Sequence, residues 1–366
     1  MKAILSIAYH SLKNHGPKMV FKRFYKYAIV KTKRVFSKPD LENIEKWKSL
    51  KGKYEGKRVF VIGNGPSLNK TPLYLLKNEY TFCFNRINLM FERNGWAPNF
   101  YMITDDLVIR DLEEEVNTEI LPNVDYGFFP DIHPYNINFQ KYVKKRDNVL
   151  WIKTDKPGFT TNLPECGINN TVVNAGLQIM AYLGFKEIYL LGVDASIAFT
   201  AHNTSTENNR ELTSQADDPN HFDPRYFGKG KKYHYQPMYE MVEKFKIARL
   251  FLEEQGIKIR NTGYDPQLNA FERQNLLDVL NYDDKTKEQL FLETVAPGTG
   301  AVSFNEFVKD AVHITEVAAF DPNADKVYIT GDEGVKLVPK SILTHVPYGP
   351  FNGSYVLIKR AEPIVL

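Results

Sequence analysis

The chain has 366 residues, 43% of them hydrophobic and 25% charged, with only two cysteines, Cys83 and Cys166. Such a composition belongs to a globular protein with length for one large core or two smaller ones, and it excludes a disulfide scaffold; two thiols in so long a chain fit a reducing compartment. Beyond residue 39 the chain is acidic and no nucleic-acid motif appears, which argues against a nucleic-acid binder, and no apolar run reaches the roughly 20 residues of a membrane span.

The charge is unevenly placed. Residues 1–39 carry ten Lys or Arg and no acid, which leaves 37 basic against 44 acidic residues in the rest. The early stretch "AILSIAY" is short and has no small-residue cleavage site after it, so no secretory leader is expected. In "MVFKRFYKYAIVKTKRVF" Phe21, Phe24, Tyr25 and Tyr27 are interleaved with basic residues. A helix of that pattern rests in a membrane interface, with lysines toward anionic headgroups at roughly 1 kcal/mol each. Residues 1–45 are therefore expected to form a basic amphipathic arm that binds an anionic membrane surface. The protein would then be cytoplasmic and peripheral on the inner face of the cell membrane.

From about residue 57 strands and helices alternate. "RVFVIG" (58–63) reads as a buried strand and "LYLLKN" (73–78) as the end of a short helix. "YTFCFNRI" (80–87), "NFYMITD" (99–105), "YGFFP" (126–130) and "NVLWIK" (148–153) read as further strands. "TVVNAGLQIMAYLG" (171–184) has helical spacing and a terminal glycine, and "KEIYLLGVD" (186–194) is the next strand. Residues 195–236 are long, polar and poor in aliphatic residues, as in a lid. "PMYEMVEKFKIARLFLEEQG" (237–256) opens on Pro237 and stops at Gly256, with Met238, Met241, Val242, Phe245, Ala248 and Leu252 on one face. "IKIRNTG" (257–263) follows as a strand.

Helices between apolar strands predict an α/β fold: a Rossmann-like, mostly parallel sheet with helices on both faces. It would occupy residues 46–284, with the inserted polar lid at about 195–236. Residues 285–366 are rich in β-branched residues and turns and read as a small β-rich region with no assigned role.

The candidate site gathers at strand ends. Gly63-Asn64-Gly65-Pro66-Ser67 follows the first strand, where open α/β sheets bind ligands. Glycines let a backbone approach a phosphate, and the next turn offers free N–H groups. The loop lacks the Gly-Lys-Ser/Thr of a P-loop, and Leu68 stands where a dinucleotide fingerprint has its third glycine. Asn85 and Asn88, then Thr104, Asp105 and Asp106, then Gly192 and Asp194 end later strands. Polar groups at the ends of four strands of one sheet are expected to converge on one crevice.

"VIGNGPSL", "FCFNRINLMF", "LGFKEIYLLGVD" and "NHF" before a long helix resemble glycosyltransferase family 42, the bacterial sialyltransferases that use CMP-sialic acid. They are similar, too, to motility-accessory flagellin glycosyltransferases and to 6-hydroxymethylpterin diphosphokinase-like enzymes. The resemblance covers about residues 57–263. It implies that Asn64, Gly65 and Ser67 lie beside the nucleotide's phosphate and ribose, that Asn85 serves the leaving phosphate, that Thr171 lines the donor pocket, and that His221 is the general base. The family's phosphate-binding tyrosines are missing: "ASIAFTAH" places Ser196 and Phe199 there, and Ser196 joins the expected substrate contacts. Tyr226, Tyr233, Tyr235 or a lysine of "GKGKK" would have to substitute.

The function so implied is glycosyl transfer from a CMP-activated acidic sugar (sialic acid, another nonulosonate or Kdo) to a glycan or glycolipid acceptor, with no metal and no cofactor. A histidine with its ordinary pKa of about 6.5 suits proton removal from the acceptor hydroxyl, worth on the order of 10²- to 10⁴-fold. The alternative is a diphosphokinase that moves pyrophosphate from ATP to a hydroxymethylpterin, with magnesium held by Asp105, Asp106 and Asp194. A non-catalytic nucleotide-sugar-binding protein is the third. The basic arm favours the glycosyl reading, because a growing lipid-linked glycan lies at a membrane and a soluble pterin does not.

Overall fold

The computed structural model describes residues 38–133, 137–194, 211–235, 238–263, 268–283 and 285–287, single positions between 21 and 32, Thr204–Ser205, and five strands between residues 311 and 358. Ser196, Phe199, His202, Pro237 and most of the N-terminal arm lie outside these residues. Among the described residues no helix is long and apolar enough to cross a membrane.

Helix α1 (Leu41–Leu50) is the first element with a continuous described span. Then come β1 (Arg58–Ile62), β2 (Thr81–Phe84), β3 (Phe100–Met102), α2 (Asp106–Asp111), β4 (Tyr126–Pro130), β5 (Ile132–His133), β6 (Ile137–Asn138) and β7 (Val149–Ile152). Helix α3 (Val172–Leu183) precedes β8 (Glu187–Leu191). Next are β9 (Thr204–Ser205), β10 (Glu211–Thr213), β11 (Lys232–His234), α4 (Met238–Glu254), β12 (Lys258–Asn261) and the short α5 (Leu276–Val279). The C-terminal part holds β13 (Ala311–Val317), β14 (Lys326–Gly331), β15 (Gly334–Pro339), β16 (Leu343–His345) and β17 (Tyr355–Ile358). The core is a mostly parallel α/β sheet with helices on both faces, as its strand and helix alternation predicts. The chain divides into two compact units, Met1–Lys57 with Ala97–Phe185, and Arg58–Trp96 with Lys186–Leu366.

In the unit that holds β1, the parallel order is β12-β8-β1-β2. β1 runs between two neighbours, with Phe60 opposite both Thr81 and Tyr189. Val59, Phe60, Val61 and Ile62 are all buried, as are all four residues of β2. A strand covered on both faces needs a continuous apolar run, not alternation. Arg58 ties the foot of β1 down. Its guanidinium donates to both carboxylate oxygens of Glu79 (2.9 and 2.6 Å) and to the Val279 carbonyl (2.6 Å). α4 buries Phe245, Ala248 and Leu252. Met238, Met241 and Val242, predicted on the same face, are only half-buried, because the helix's first turns meet less of the core.

The expected lid is a folded insertion over its described part. β9, β10 and β11 form an antiparallel sheet, with Leu212 opposite Ser205 and Tyr233. Phe222 and Tyr226 are buried anchors in the turns between β10 and β11, which a free polar loop would not have. The strands from β13 to β17 form a five-stranded antiparallel sheet in the order β15-β14-β13-β17-β16.

In the other unit, β3, β4 and β7 run parallel in that order. β7 is a sheet edge, and α1 covers it. Asn43 Oδ1 accepts from the Trp151 amide (2.9 Å), and Asn43 Nδ2 and Trp47 Nε1 both donate to the Trp151 carbonyl (3.0 Å each). Side chains thus satisfy a backbone that an edge strand would leave open. α3 starts on the Thr171 cap and stops at Gly184, whose φ of 96° suits glycine.

Candidate functional site

The turn after β1 is built against the turn after β8. The Gly63 amide donates to the Leu191 carbonyl and the Gly65 amide to the Gly192 carbonyl, each at 2.8 Å. A Cβ on Gly65 would sit 2.2 Å from Asp194 Oδ2 and 2.9 Å from the Gly192 carbonyl oxygen. Gly192 itself has a φ of 60°, and a side chain there would strike Leu68 at 2.5 Å. The glycines are therefore required by the contact between two turns of the protein.

Asp194 closes that contact. Its buried carboxylate accepts the Ser67 amide (2.8 Å) and the Ser67 hydroxyl (2.5 Å). It sits at the start of the 3₁₀ turn Pro66–Lys70, where a bound anion would otherwise sit. The Leu68 amide donates to Gly65 at 3.2 Å, and Pro66 has no N–H. The sequence predicts a loop of free amides for a phosphate. Instead the amides of Gly63, Gly65, Ser67 and Leu68 all donate within the protein. Asn64 Nδ2 donates to the Phe84 carbonyl (3.2 Å), and its buried Oδ1 has no hydrogen-bond partner among the described residues.

β2 ends at Asn85, whose φ of 50° lies in the left-handed region that asparagine tolerates. Its side chain is hydrogen-bonded to the Tyr226 hydroxyl. Tyr226 is 1% exposed, and burial raises its pKa well above the usual phenol range. His221 stacks on that ring at 3.8 Å between centroids, 4° from parallel, and meets Phe227 edge-on at 5.2 Å. Its Nδ1 lies 2.7 Å from Asp218 Oδ2. The Phe222 amide donates to the Asn64 carbonyl (3.0 Å) and Asn69 Nδ2 to the Phe222 carbonyl (2.8 Å), so the insertion is tied to the β1 turn. Asn64, Asn85 and His221 are thus brought to one end of the same unit, and Asp194 is joined to the same β1 turn through Ser67. His234 is on β11, opposite Glu211.

Thr104, Asp105 and Thr171 belong to the other unit. Thr104 is buried. Asp105 Oδ1 caps α2 by accepting from Leu107 (2.8 Å) and Val108 (3.3 Å), and Thr171 caps α3 by accepting from Val173 (3.3 Å). Asp106 is buried and pairs with Arg110 at 3.2 Å. Oxygens of Asp105 and Asp106 lie within 4.8 Å of each other, a hard donor set of the kind magnesium takes. Asp194, read from the sequence as a third carboxylate for that ion, is engaged by Ser67 instead. Behind Thr171, Gln178 is fully buried. It donates to the carbonyls of Gly167 (2.7 Å) and Asn174 (2.9 Å) and accepts the Thr160 amide (3.1 Å).

The sequence reading missed Asp218 and left Tyr226 as one of several substitutes. "DDPNHFDPRY" does hold both, at spacings of three before and five after His221. The only signal was an acid one turn ahead of the histidine.

Residues 38–199 match a family model described as 6-hydroxymethylpterin diphosphokinase MptE-like. No curated protein matches the chain. Among solved structures, it resembles the MAf glycosyltransferase from Magnetospirillum magneticum AMB-1 at 16% identity and a TM-score of 0.34, over 60% of this chain and 36% of that one. The chain thus spans just over a third of that protein's length, and so low a score does not bear on activity. The family match overturns the expectation of a metal-independent transferase for a CMP-activated acidic sugar. A diphosphokinase moves a diphosphoryl group, not a glycosyl group. The adjacent carboxylates of Asp105 and Asp106 also remove the ground for assuming that no metal takes part.

Proposed function

We propose that the chain is a transferase of the diphosphokinase type, which moves a diphosphoryl group from ATP to the hydroxymethyl group of a pterin. The match of residues 38–199 to the diphosphokinase-like family model is the observation that carries this reading. In the transfer, the acceptor oxygen bonds to the β-phosphorus. The bond from that phosphorus to the α–β bridging oxygen breaks, and AMP departs with the electron pair. The proton of the acceptor hydroxyl goes to the imidazole of His221.

The residues present divide the remaining work. Asn64 Oδ1, a buried acceptor without a partner, takes a hydroxyl or amino donor of a ligand, not a phosphate oxygen. Asn85 and Tyr226 hold the histidine's side of the site through the hydrogen bond between them. In the other unit, Asp105 and Asp106 are the residues that would hold a divalent cation. Such an ion, when bound, neutralises phosphate charge.

The test is AMP release from ATP and 6-hydroxymethylpterin, with and without magnesium, beside thermal stabilisation by ATP. Ligand at a hundred times its dissociation constant adds about 2.7 kcal/mol. Acceptor-dependent AMP release that stops on chelation supports the reading. The absence of both AMP release and stabilisation by ATP overturns it.

A further inference from the structure

We propose that Asp218 is the positioning residue of this site. It fixes His221 in the tautomer that carries its proton on Nδ1 and presents a bare Nε2, and the Tyr226 ring sets the plane of the imidazole. The catalytic consequence rests on the reading of His221 as proton acceptor; the tautomer does not.

The geometry leaves little freedom. A carboxylate only accepts hydrogen bonds, so the 2.7 Å contact from His221 Nδ1 to Asp218 Oδ2 places the proton on Nδ1. Neutral imidazole has one N–H, which makes Nε2 the acceptor. Asp218 is itself held: its side chain is 4% exposed, Oδ1 accepts the Asn220 amide (2.8 Å), and Oδ2 also accepts the Phe227 amide (3.0 Å). Two backbone donors keep the carboxylate in place whether or not the histidine is charged. The imidazole is 24% exposed, so one edge reaches solvent while one face lies on Tyr226. Tyr226 in turn is bonded to Asn85 at the end of β2, so the orientation of the ring is referred to the sheet.

During diphosphoryl transfer the acceptor's proton passes to Nε2 as its oxygen bonds to the β-phosphorus of a nucleoside triphosphate. The resulting imidazolium faces the Asp218 carboxylate, which stabilises its charge. A base held in the wrong tautomer would meet the hydroxyl with an N–H and accept nothing.

The experiment is nitrogen-15 NMR of the imidazoles in the full chain near pH 8, with His221 assigned by its loss in His221→Ala. The unaltered chain is expected to show protonated Nδ1 and unprotonated Nε2. In Asp218→Asn the two tautomers should mix, with diphosphoryl transfer reduced on the order of 10²- to 10⁴-fold and ATP affinity unchanged. Tyr226→Phe should keep the tautomer. A parent spectrum with the proton on Nε2 overturns the proposal, and needs no variant to fold. So does an Asp218→Asn chain with both tautomer and turnover unchanged. If the tautomer is as expected but His221→Ala retains full turnover, the positioning by Asp218 stands and the reading of His221 as base falls.

Discussion

Ser67 gives both its amide and its hydroxyl to the carboxylate of Asp194, at 2.8 and 2.5 Å, across a sequence separation of 127 residues. Two turns that follow different strands are locked by one side chain, and the glycines around them have no room for anything larger. The β1 turn is thereby a rigid support for Asn64, whose buried Oδ1 has no hydrogen-bond partner among the described residues.

That lock predicts a coupling. Gly65→Ala forces a methyl against Asp194 and should destabilise by about 1–3 kcal/mol. Asp194→Ala strands the buried Ser67 amide and should cost about the same. In the double variant the methyl has lost its nearest obstacle, so the two costs should fall short of additive by about 0.5 kcal/mol or more. Urea unfolding of the four proteins measures it. Strict additivity would mean the turns do not bear on each other in solution.

Tyr189 predicts the alkaline limb of stability. It is 3% exposed, and burial, then its hydrogen bond to Glu187, pushes its pKa up to about 12. Above pH about 10 the unfolded chain releases that proton and the folded chain keeps it. Stability is therefore full below pH about 10 and falls as pH rises toward 12, by about 2 kcal/mol. Tyr189→Phe should flatten part of this slope, and buried Tyr226 accounts for a further part. Urea midpoints between pH 9 and 12 decide it; identical slopes in parent and variant would sink the assignment.

Gln178 predicts a local failure. Two of its three hydrogen bonds, with the Thr160 amide and the Gly167 carbonyl, hold the segment from Thr160 to Gly167 against α3. Gln178→Leu keeps the volume but leaves the Thr160 amide and the Gly167 carbonyl without those bonds, at about 1–3 kcal/mol. Hydrogen exchange should show faster exchange at Thr160 while β4 stays protected. Unchanged protection at Thr160 would show that the bond does not matter.

Phe21 and Tyr25 are 72% and 58% exposed and four residues apart. We propose that they enter the interface of an anionic membrane. Phe21→Ser with Tyr25→Ser should release the protein from phosphatidylserine vesicles and leave ATP binding intact. Binding to the vesicles that ignores both the substitutions and the salt concentration would refute it.

Local patterns were readable where local forces decide. The run 126–130 is β4, and the helix from Val172 lies between the Thr171 cap and Gly184, because an apolar run, a capping hydroxyl and a terminal glycine act within a few residues. The site was less readable. Gly63 and Gly65 look the same whether a phosphate or another turn presses on them, and only the distance to Gly192 and Asp194 separates the two. The insertion read as a free lid because Phe222 and Tyr226 are isolated aromatics in a polar stretch; their burial depends on contacts with Asn64, Asn69 and Asn85, far back in the chain. The transferred group was misread for a related reason. A strand-end loop with glycine and asparagine serves nucleotide donors of several kinds, and the group that moves leaves no mark on it.

The Ser67–Asp194 lock also sets an order of events in a growing chain. At a ribosomal pace of about 5–20 residues per second, the partner of Ser67 arrives about 6–25 s after Ser67 itself. For that interval the β1 turn has its glycines and its serine but no acid to seal it. Arg58 meets Glu79 early but waits longer for its third bond, since the Val279 carbonyl lies 221 residues on. A nascent chain arrested before residue 194 therefore carries an open turn at its first strand, however favourable the local sequence, and should be the form that chaperones hold.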